Sequence, residues 1–346
     1  MGSEPTTEVA PARIGRKRWL VATGVLLVST GLALLVGSVS IDPVGIGRAL
    51  LDRIPFVDVS SGLSDVETRL LFEIRLPRVV MGGLVGAVLA VAGAGYQGVF
   101  RNPLADPYLL GVAAGAGLGA TLIIGIGAGS VLVPPIAFLG GMVAVGSTYL
   151  LSRTVGGRTT TSLILAGVAV AAFATAVQTY LLQRSYDTLR EVYSWILGRL
   201  VTVGWGEVLT LAAYASVALT ALVLLRRLLD VLGLGDEEAS ALGVEVLKVR
   251  RAVVVSATLA TAAAVSVSGL IGFVGIIVPH TIRLITGWSY RVIIPLSLVY
   301  GAAFLILADL GARTLVAPAE LPIGVVTAAL GAPFFLVVLR NMRGSS

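Results

Sequence analysis

The chain has 346 residues, of which 56% are hydrophobic and 13% are charged, and its mean hydropathy is +0.96. An ordinary soluble domain is about one quarter charged, so this composition indicates a polytopic membrane protein. The absence of cysteine excludes disulfides, thiolate metal sites and cysteine nucleophiles. The net charge of +6 does not indicate nucleic-acid binding, because the basic residues are spread over short loops.

Long uncharged or nearly uncharged runs predict about ten transmembrane helices, since roughly 20 apolar residues span the hydrocarbon core of a bilayer. The stretch 252–282 contains no charge and could form one long kinked helix, but Pro279 favours two shorter ones. The predicted fold is therefore an all-α, polytopic membrane protein. The runs lie at about 19–39, 79–100, 108–133, 136–152, 162–182, 208–225, 252–270, 271–288, 292–312 and 322–339.

The distribution of lysine and arginine predicts the orientation of these spans, because basic residues concentrate in cytoplasmic loops. With ten spans, most of the basic residues fall on one side together with both termini, which are therefore predicted to be cytoplasmic. The first run lacks a small-residue cleavage site and is interpreted as a retained helix. The chain then divides into an N-terminal cytoplasmic segment (1–18), a membrane domain (19–340) and a cytoplasmic tail (341–346).

Two connections between the predicted spans are long. The outer one, Ser40 to Ile74, is rich in Asp and Glu, and the inner one, Arg226 to Arg251, contains a short acidic stretch bounded by glycines. Neither is large enough to be a catalytic domain. No loop of the Gly-x-x-x-x-Gly-Lys type occurs, so the chain is predicted to bind no cofactor, and any ATP must be used by another subunit.

A polar break separates the second and third runs. It reads Arg101-Asn102-Pro103-Leu104-Ala105-Asp106-Pro107 and contains two prolines, an asparagine and opposite charges. Irregular backbone at this depth is tolerated only where water or protein satisfies its amide and carbonyl groups. The break therefore marks a place where a pathway meets the membrane surface.

This block also carries a family resemblance. Together with Gln97-Gly98-Val99-Phe100 before it, Leu110-Gly111-Val112 after it, and the later blocks Gly272–Arg283 and Glu320–Thr327, it resembles the FecCD-type permeases. These are the membrane subunits of ABC importers for ferric siderophores, haem and vitamin B12. The resemblance extends from about Ile41 to Leu339.

The resemblance implies an architecture and a set of partners. The subunits of this family form homodimers in the cell membrane, with ten helices each, an inverted repeat of spans two to five and seven to ten, and a path along the dimer interface. The implied partners are a second copy of the chain, cytoplasmic ATP-binding subunits, an extracytoplasmic substrate-binding protein and membrane lipid, with no nucleic acid. The cargo stays open between corrinoid, ferric siderophore and haem.

The resemblance also assigns roles to residues near the membrane surfaces. Arg75, Arg78 and Arg313 at outer helix ends would pair with carboxylates of the binding protein. Without the family, the same arginines would be interfacial side chains whose charges reach out to water. Four residues are implied as gate or pathway residues: Asn102, Leu104, Ser185 and Tyr186.

The acidic stretch of the inner connection is implied to couple the permease to the ATPase subunit, whereas composition alone allows a solvated connector. Its residues are Asp236, Glu237, Glu238, Ala239, Leu242 and Gly243. No metal site is predicted, since the single histidine, His280, is most simply a structural residue at a helix end.

Two other functions are considered. A secondary transporter would need polar coupling residues near the bilayer midplane, where the long runs have none. Tyr186-Asp187 and Gly233-Leu234-Gly235-Asp236 imitate the motifs of intramembrane aspartyl proteases. That chemistry requires two carboxylates that share a proton, but these two are predicted on opposite sides of the membrane, so no catalytic residue is assigned.

Overall fold

A computed structural model describes residues 14–37, 39–154, 160–184, 188–200 and 204–343. Over these ranges the protein is helical and contains no β-strand, which confirms the all-α prediction. A π-helical turn (Leu70–Arg75) joins α3 to α4, and a 3-10 turn (Ser130–Leu132) precedes α6. The helices are α1 (Arg16–Leu35), α2 (Pro43–Asp52), α3 (Asp65–Arg69), α4 (Leu76–Phe100), α5 (Val112–Gly125), α6 (Val133–Thr154), α7 (Thr160–Arg184), α8 (Leu189–Ile196), α9 (Gly206–Leu232), α10 (Asp236–Ala241), α11 (Val246–Ser268), α12 (Val274–Thr286), α13 (Tyr290–Thr314) and α14 (Ile323–Arg343).

Among the described residues, ten apolar helices follow the predicted runs in order. Seven of them, namely α1, α4, α6, α7, α9, α11 and α13, are long and apolar enough to cross a bilayer. The apolar parts of α5, α12 and α14 are shorter. The multi-pass membrane class is thereby confirmed, whereas the count of ten spans and the homodimer stay predictions. The words "inner" and "outer" denote the two sides of the membrane as predicted from the basic residues.

Helix α4 lies at the centre of the bundle. It packs against α9, α11, α12 and α13, and most of its residues are buried. Small residues allow this close packing, as is common between membrane helices. A Cβ at Gly93 would lie 2.0 Å from the carbonyl oxygen of Gly275 in α12, and one at Gly86 would lie 2.2 Å from that of Gly301 in α13. The helix axes could not approach so closely with larger residues at these positions.

The uncharged stretch 252–282 forms two helices. Helix α11 ends at Ser268, and Gly269 follows with φ of +68° in close contact with the carbonyl oxygen of Trp195, where a Cβ would lie only 2.0 Å away. Phe273 also has a positive φ, +68°, immediately before α12 begins. Only glycine fits the crowded position 269 without strain, so the chain breaks there.

The inner connection is shorter than predicted. Helix α9 continues through Leu232 and α11 begins at Val246, so the connection between them, which contains α10, covers 233–245 rather than 226–251. The prediction ended the span at Arg226 because of its charge. Long arginine side chains can extend from the last turns of a membrane helix towards water, so the helix itself need not end there.

Candidate functional site

Four charged side chains form an outer cluster, which we define as Arg78, Asp309, Arg313 and Glu320. Arg78 donates from Nε and Nη2 to Asp309, at distances between 2.9 and 3.2 Å, and from Nη1 and Nη2 to Glu320 at 3.1 and 2.9 Å. The Nε atom of Arg313 lies 3.0 Å from Asp309 Oδ2. Asp309 is buried, whereas the side chain of Glu320 is 48% exposed. The cluster therefore joins α4 and α13 to the segment before α14.

Two of the predicted docking arginines bind the end of α1 instead of facing outward. Arg75 is 5% exposed, and its Nη1 atom donates to the carbonyl oxygen of Leu34 at 2.9 Å, while Nη2 donates to that of Val39. Arg313 is 9% exposed and donates to the carbonyl oxygen of Ala33 at 3.2 Å. Carbonyl groups in the last turn of a helix have no hydrogen-bond donor within the helix. The guanidinium groups of Arg75 and Arg313 act as donors to two of them. The alternative that both are interfacial side chains whose charges reach out to water is therefore wrong for Arg75 and Arg313, and their docking role stays a prediction.

The polar break between α4 and α5 forms a loop that is held by its own hydrogen bonds. Arg101 ends α4 in the left-handed conformation, with φ of +50°, and Asn102 Oδ1 accepts a hydrogen bond from the backbone amide of Leu104 at 2.9 Å. Asn102 is exposed and Leu104 is half-buried. This side-chain turn fixes the backbone at the inner end of α4, which is where the gate residues Asn102 and Leu104 were predicted.

Tyr108 makes a contact that the sequence motif did not predict. Its hydroxyl donates to the carbonyl oxygen of Ile271 at 2.9 Å and accepts from the amide of Ile271 at 3.1 Å. The Asp106 carboxylate accepts from the amide of Tyr108 at 2.7 Å, and burial raises the pKa of Asp106 to about 6. The loop is therefore attached to the break between α11 and α12, a long-range contact without a local sequence signal.

Helix α10 is attached to the same loop through one carboxylate. Asp236 forms ion pairs with Arg101 at the end of α4 and, at 3.1 Å, with Arg250 at the start of α11. Ala239 is buried, whereas Glu237, Glu238 and Leu242 are exposed. Gly235 and Gly243 flank the helix with positive φ values of +136° and +80°. The predicted coupling residues therefore form a short acidic helix and its C-terminal turn. One face of this segment is exposed, and Asp236 joins it to α4 and α11.

The remaining predicted residues carry less structural information. Ser185 and Tyr186, together with Asp187 of the protease-like motif, lie outside the described residues. His280 is 8% exposed, and its ring lies edge-on to Phe334 with the centroids 5.8 Å apart. Within the described ranges, no group of three or more potential metal-binding side chains occurs.

Comparison with known proteins adds independent evidence. The profile of the FecCD transport family matches residues 25–341. The chain is 41% identical to the cobalamin import system permease protein BtuC of Halobacterium salinarum, over 81% of this chain and 76% of that protein. It is 38% identical to the hemin transport system permease protein HmuU of Yersinia pestis, over 82% of this chain and 87% of that protein.

The fold is also similar to a solved structure. That structure is described as an inward-facing conformation of a metal-chelate type ABC transporter. The TM-score is 0.83 at 29% sequence identity, and the match covers 94% of this chain and all of the other. The sequence and the fold therefore agree in the class of protein to which they point.

Proposed function

The chain belongs to the FecCD transport family, and on that premise we propose that it is the membrane permease subunit of a binding-protein-dependent ABC importer for a bulky metal chelate. In this proposal two copies of the chain pair in the cell membrane and enclose the path. A separate pair of cytoplasmic subunits hydrolyses ATP, and this chain performs no covalent chemistry.

The observation that carries the proposal is the arrangement of α10. Its exposed acidic residues, Glu237 and Glu238, and the exposed Leu242 form a small surface at the predicted inner side. Its base is joined by Asp236 to Arg101, the residue that precedes the predicted gate loop. A partner that moves α10 would therefore displace the loop containing Asn102 and Leu104 through the ion pair between Asp236 and Arg101. This is the connection that coupling between an ATPase and a gate requires.

The outer cluster supports docking of a binding protein by exchange of ion pairs. Two arginines, Arg78 and Arg313, share the two carboxylates Asp309 and Glu320, and Arg78 pairs with both of them. Glu320 is the most exposed of the paired groups, so a carboxylate of the partner can replace it on Arg78. Arginine suits such an exchange because its guanidinium holds a carboxylate bidentately. Of the three predicted docking residues, Arg78 is then the one that engages first.

The chemical class of the cargo follows from the relatives, while its identity does not. Two relatives are named for cobalamin and hemin, and a third, at 36% identity, for iron(3+)-hydroxamate. All three cargoes are large chelates in which an organic ligand already surrounds the metal. We therefore propose that the path admits a whole chelate without stripping the metal from its ligand.

Reconstitution tests the proposal. The chain is placed in liposomes with the ATPase and binding protein encoded nearest to it, and uptake of cyanocobalamin, haemin and a ferric hydroxamate is measured. We expect uptake of one chelate that requires ATP and the binding protein and is lost when the ATPase carries a Walker-motif substitution. Uptake that persists without the ATPase and follows an ion gradient would contradict the proposal and favour a secondary transporter.

A further inference from the structure

A cavity opens at the inner end of the bundle, where α4, α9, α12 and α13 meet. Its volume is about 420 Å³, which lies within the size range of small-molecule sites, roughly 300–1,000 Å³. We call it the inner cavity. The proposed transport cycle requires no ligand at this place. Its polar and aromatic lining residues are Gln97, Arg101, Asp230, Arg283, Trp288 and Tyr290.

Arg283 gives the inner cavity its charge. The residue is 3% exposed, and its Nη2 atom donates to Gln97 Oε1 at 2.9 Å and to the Tyr290 hydroxyl at 3.3 Å. Its Nε and Nη1 atoms have no hydrogen-bond partner among the described residues. The guanidinium carbon lies 5.1 Å from the ring centroid of Trp288. A buried cation is costly unless an opposite charge compensates it.

The other charges at the inner cavity already have partners. Arg101 pairs with Asp236. Asp230 accepts hydrogen bonds from Ser289 Oγ at 2.9 Å and from the amide of Tyr290, and it lies 3.3 Å from Nε of Arg291. In the part of the chain that the structure describes, Arg283 therefore remains without an ion pair. An anion from outside these residues would compensate its charge.

The neighbours of Arg283 hold its side chain in place. The Nε2 atom of Gln97 donates to the carbonyl oxygen of Gly275 at 3.0 Å, so that its Oε1 atom faces the guanidinium. Gly98 leaves room for the Tyr290 ring, since a Cβ there would lie 3.1 Å from Tyr290 Cζ. Trp288 is 72% exposed at the edge of the cavity. The cation and its aromatic neighbours are thus positioned before any ligand arrives.

We propose that the inner cavity binds a phosphate-type anion, with Arg283 as the counter-charge and Trp288 at its rim. Two sources share this chemistry, the phosphate of an anionic lipid headgroup and free inorganic phosphate. The location at the predicted inner membrane surface favours a lipid, because basic pockets between transmembrane helices on that side bind anionic headgroups. Tryptophan is also enriched at membrane interfaces.

Native mass spectrometry of the full chain, titrated with phosphatidylglycerol or phosphatidylcholine, tests the lipid source. We expect preferential retention of phosphatidylglycerol, and at least a tenfold weaker preference in Arg283→Gln and in Trp288→Ala. Arg227→Gln is the matched control, since Arg227 is an exposed arginine at the inner end of α9 that does not line the inner cavity. A second arm compares sodium phosphate with sodium chloride at equal ionic strength, measured as the thermal shift of the chain in phosphatidylcholine nanodiscs.

Each result decides the proposal. Loss of lipid preference in both cavity variants but not in the control supports a lipid site, and a phosphate-induced shift that Arg283→Gln abolishes supports a site for the free anion. If Arg283→Gln does not fold, Trp288→Ala decides alone, because Trp288 is 72% exposed and its removal opens no cavity in the core. Equal binding of both lipids together with no phosphate-induced shift, or binding that the cavity variants leave unchanged, overturns the proposal. None of these results depends on the cargo or on ATP.

Discussion

Single side chains at the outer end of the bundle stabilise the backbone of α1. Arg75 and Arg313 donate to the carbonyl oxygens of Leu34 and Ala33 in its last turn. Positive charge near the C-terminus of a helix is also favoured by the helix dipole. Gly37 takes part in this arrangement, because a Cβ at that position would lie 2.9 Å from Nη2 of Arg75. Both arginines therefore have a structural role that exists without any partner protein.

Substitution of Arg75 should affect stability before it affects docking. In Arg75→Gln, the buried carbonyl group of Leu34 loses its side-chain donor, and an unpaired buried acceptor typically costs about 1–3 kcal/mol. We expect a lower midpoint of thermal unfolding for the purified chain. Arg69→Gln, at an exposed position on the same connection, should leave the midpoint unchanged. Wild-type stability of Arg75→Gln combined with weaker binding of the external partner would instead assign Arg75 to docking.

A carboxyl group in the loop between α4 and α5 should give the protein a pH-dependent stability. Burial raises the folded-state pKa of Asp106 to about 6, above its value in an unfolded chain of about 3.9. The contribution to stability is therefore fully present below about pH 4 and is lost as the pH rises through about 6. Asp106→Asn keeps the acceptor for the Tyr108 amide and removes the charge.

The measurement is thermal unfolding of both proteins between pH 4 and 8. The unfolding midpoint of Asp106→Asn should rise relative to that of the wild type as the pH rises through about 6. Above that range the difference between the two midpoints should be constant. Asp58→Asn, at an exposed position in the outer connection, should follow the wild type. Parallel curves for the wild type and Asp106→Asn would show that Asp106 does not titrate in this range.

At the scale of elements, the proposed role of α10 rests on its connection to the predicted gate loop rather than on its contribution to stability. Asp236→Ala should change the free energy of unfolding by only about 1 kcal/mol or less, because exposed ion pairs contribute little. The same change should lower ATP-driven uptake at least fivefold in reconstituted transporters, since Arg101 and Arg250 lose their shared partner.

Glu245→Ala is the matched control for this prediction. It removes an exposed ion pair with Lys248 on the same surface, one that does not contact the gate loop. Uptake should stay at the wild-type level in this variant, and the ATPase activity of the partner subunit should persist in both. If Asp236→Ala transports as well as the wild type, α10 does not couple to the loop through Asp236.

The elements show which parts of the structure can be predicted from local sequence. Hydropathy predicted the ten apolar helices of the described residues, and the flanking glycines predicted the short helix α10. Both features depend on residues that are neighbours in the sequence. The partners of Arg75, Tyr108 and Arg283 could not be predicted, since each has a partner in another element or loop at large sequence separation. A membrane-surface arginine can bind water, a partner or a helix end, and only the packed structure distinguishes these.

For the whole molecule, the number of helices that cross the membrane depends on its short apolar helices, α5, α12 and α14. The side of the membrane on which α10 lies depends on one of them, α5. Its 14 residues extend about 21 Å at 1.5 Å per residue, which is shorter than the hydrocarbon core of about 30 Å. The residues 108–111 before α5 and the turn before α6 can complete the crossing, as irregular backbone is tolerated where protein surrounds it. The ten-span prediction then places Ser130 and Ser60 outside and Ser240 inside.

Cysteine labelling tests this arrangement, since the natural chain has no cysteine and gives no background. Ser60→Cys, Ser130→Cys and Ser240→Cys each replace an exposed serine. With an impermeant maleimide on cells whose outer face is accessible, we expect labelling at 60 and 130, and labelling at 240 only after permeabilisation. If α5 did not cross, four crossings would separate Ser60 from Ser240, so the two cysteines would react from the same side. Such a result would also place α10 away from a cytoplasmic ATPase, and the proposed coupling would then fail together with the topology.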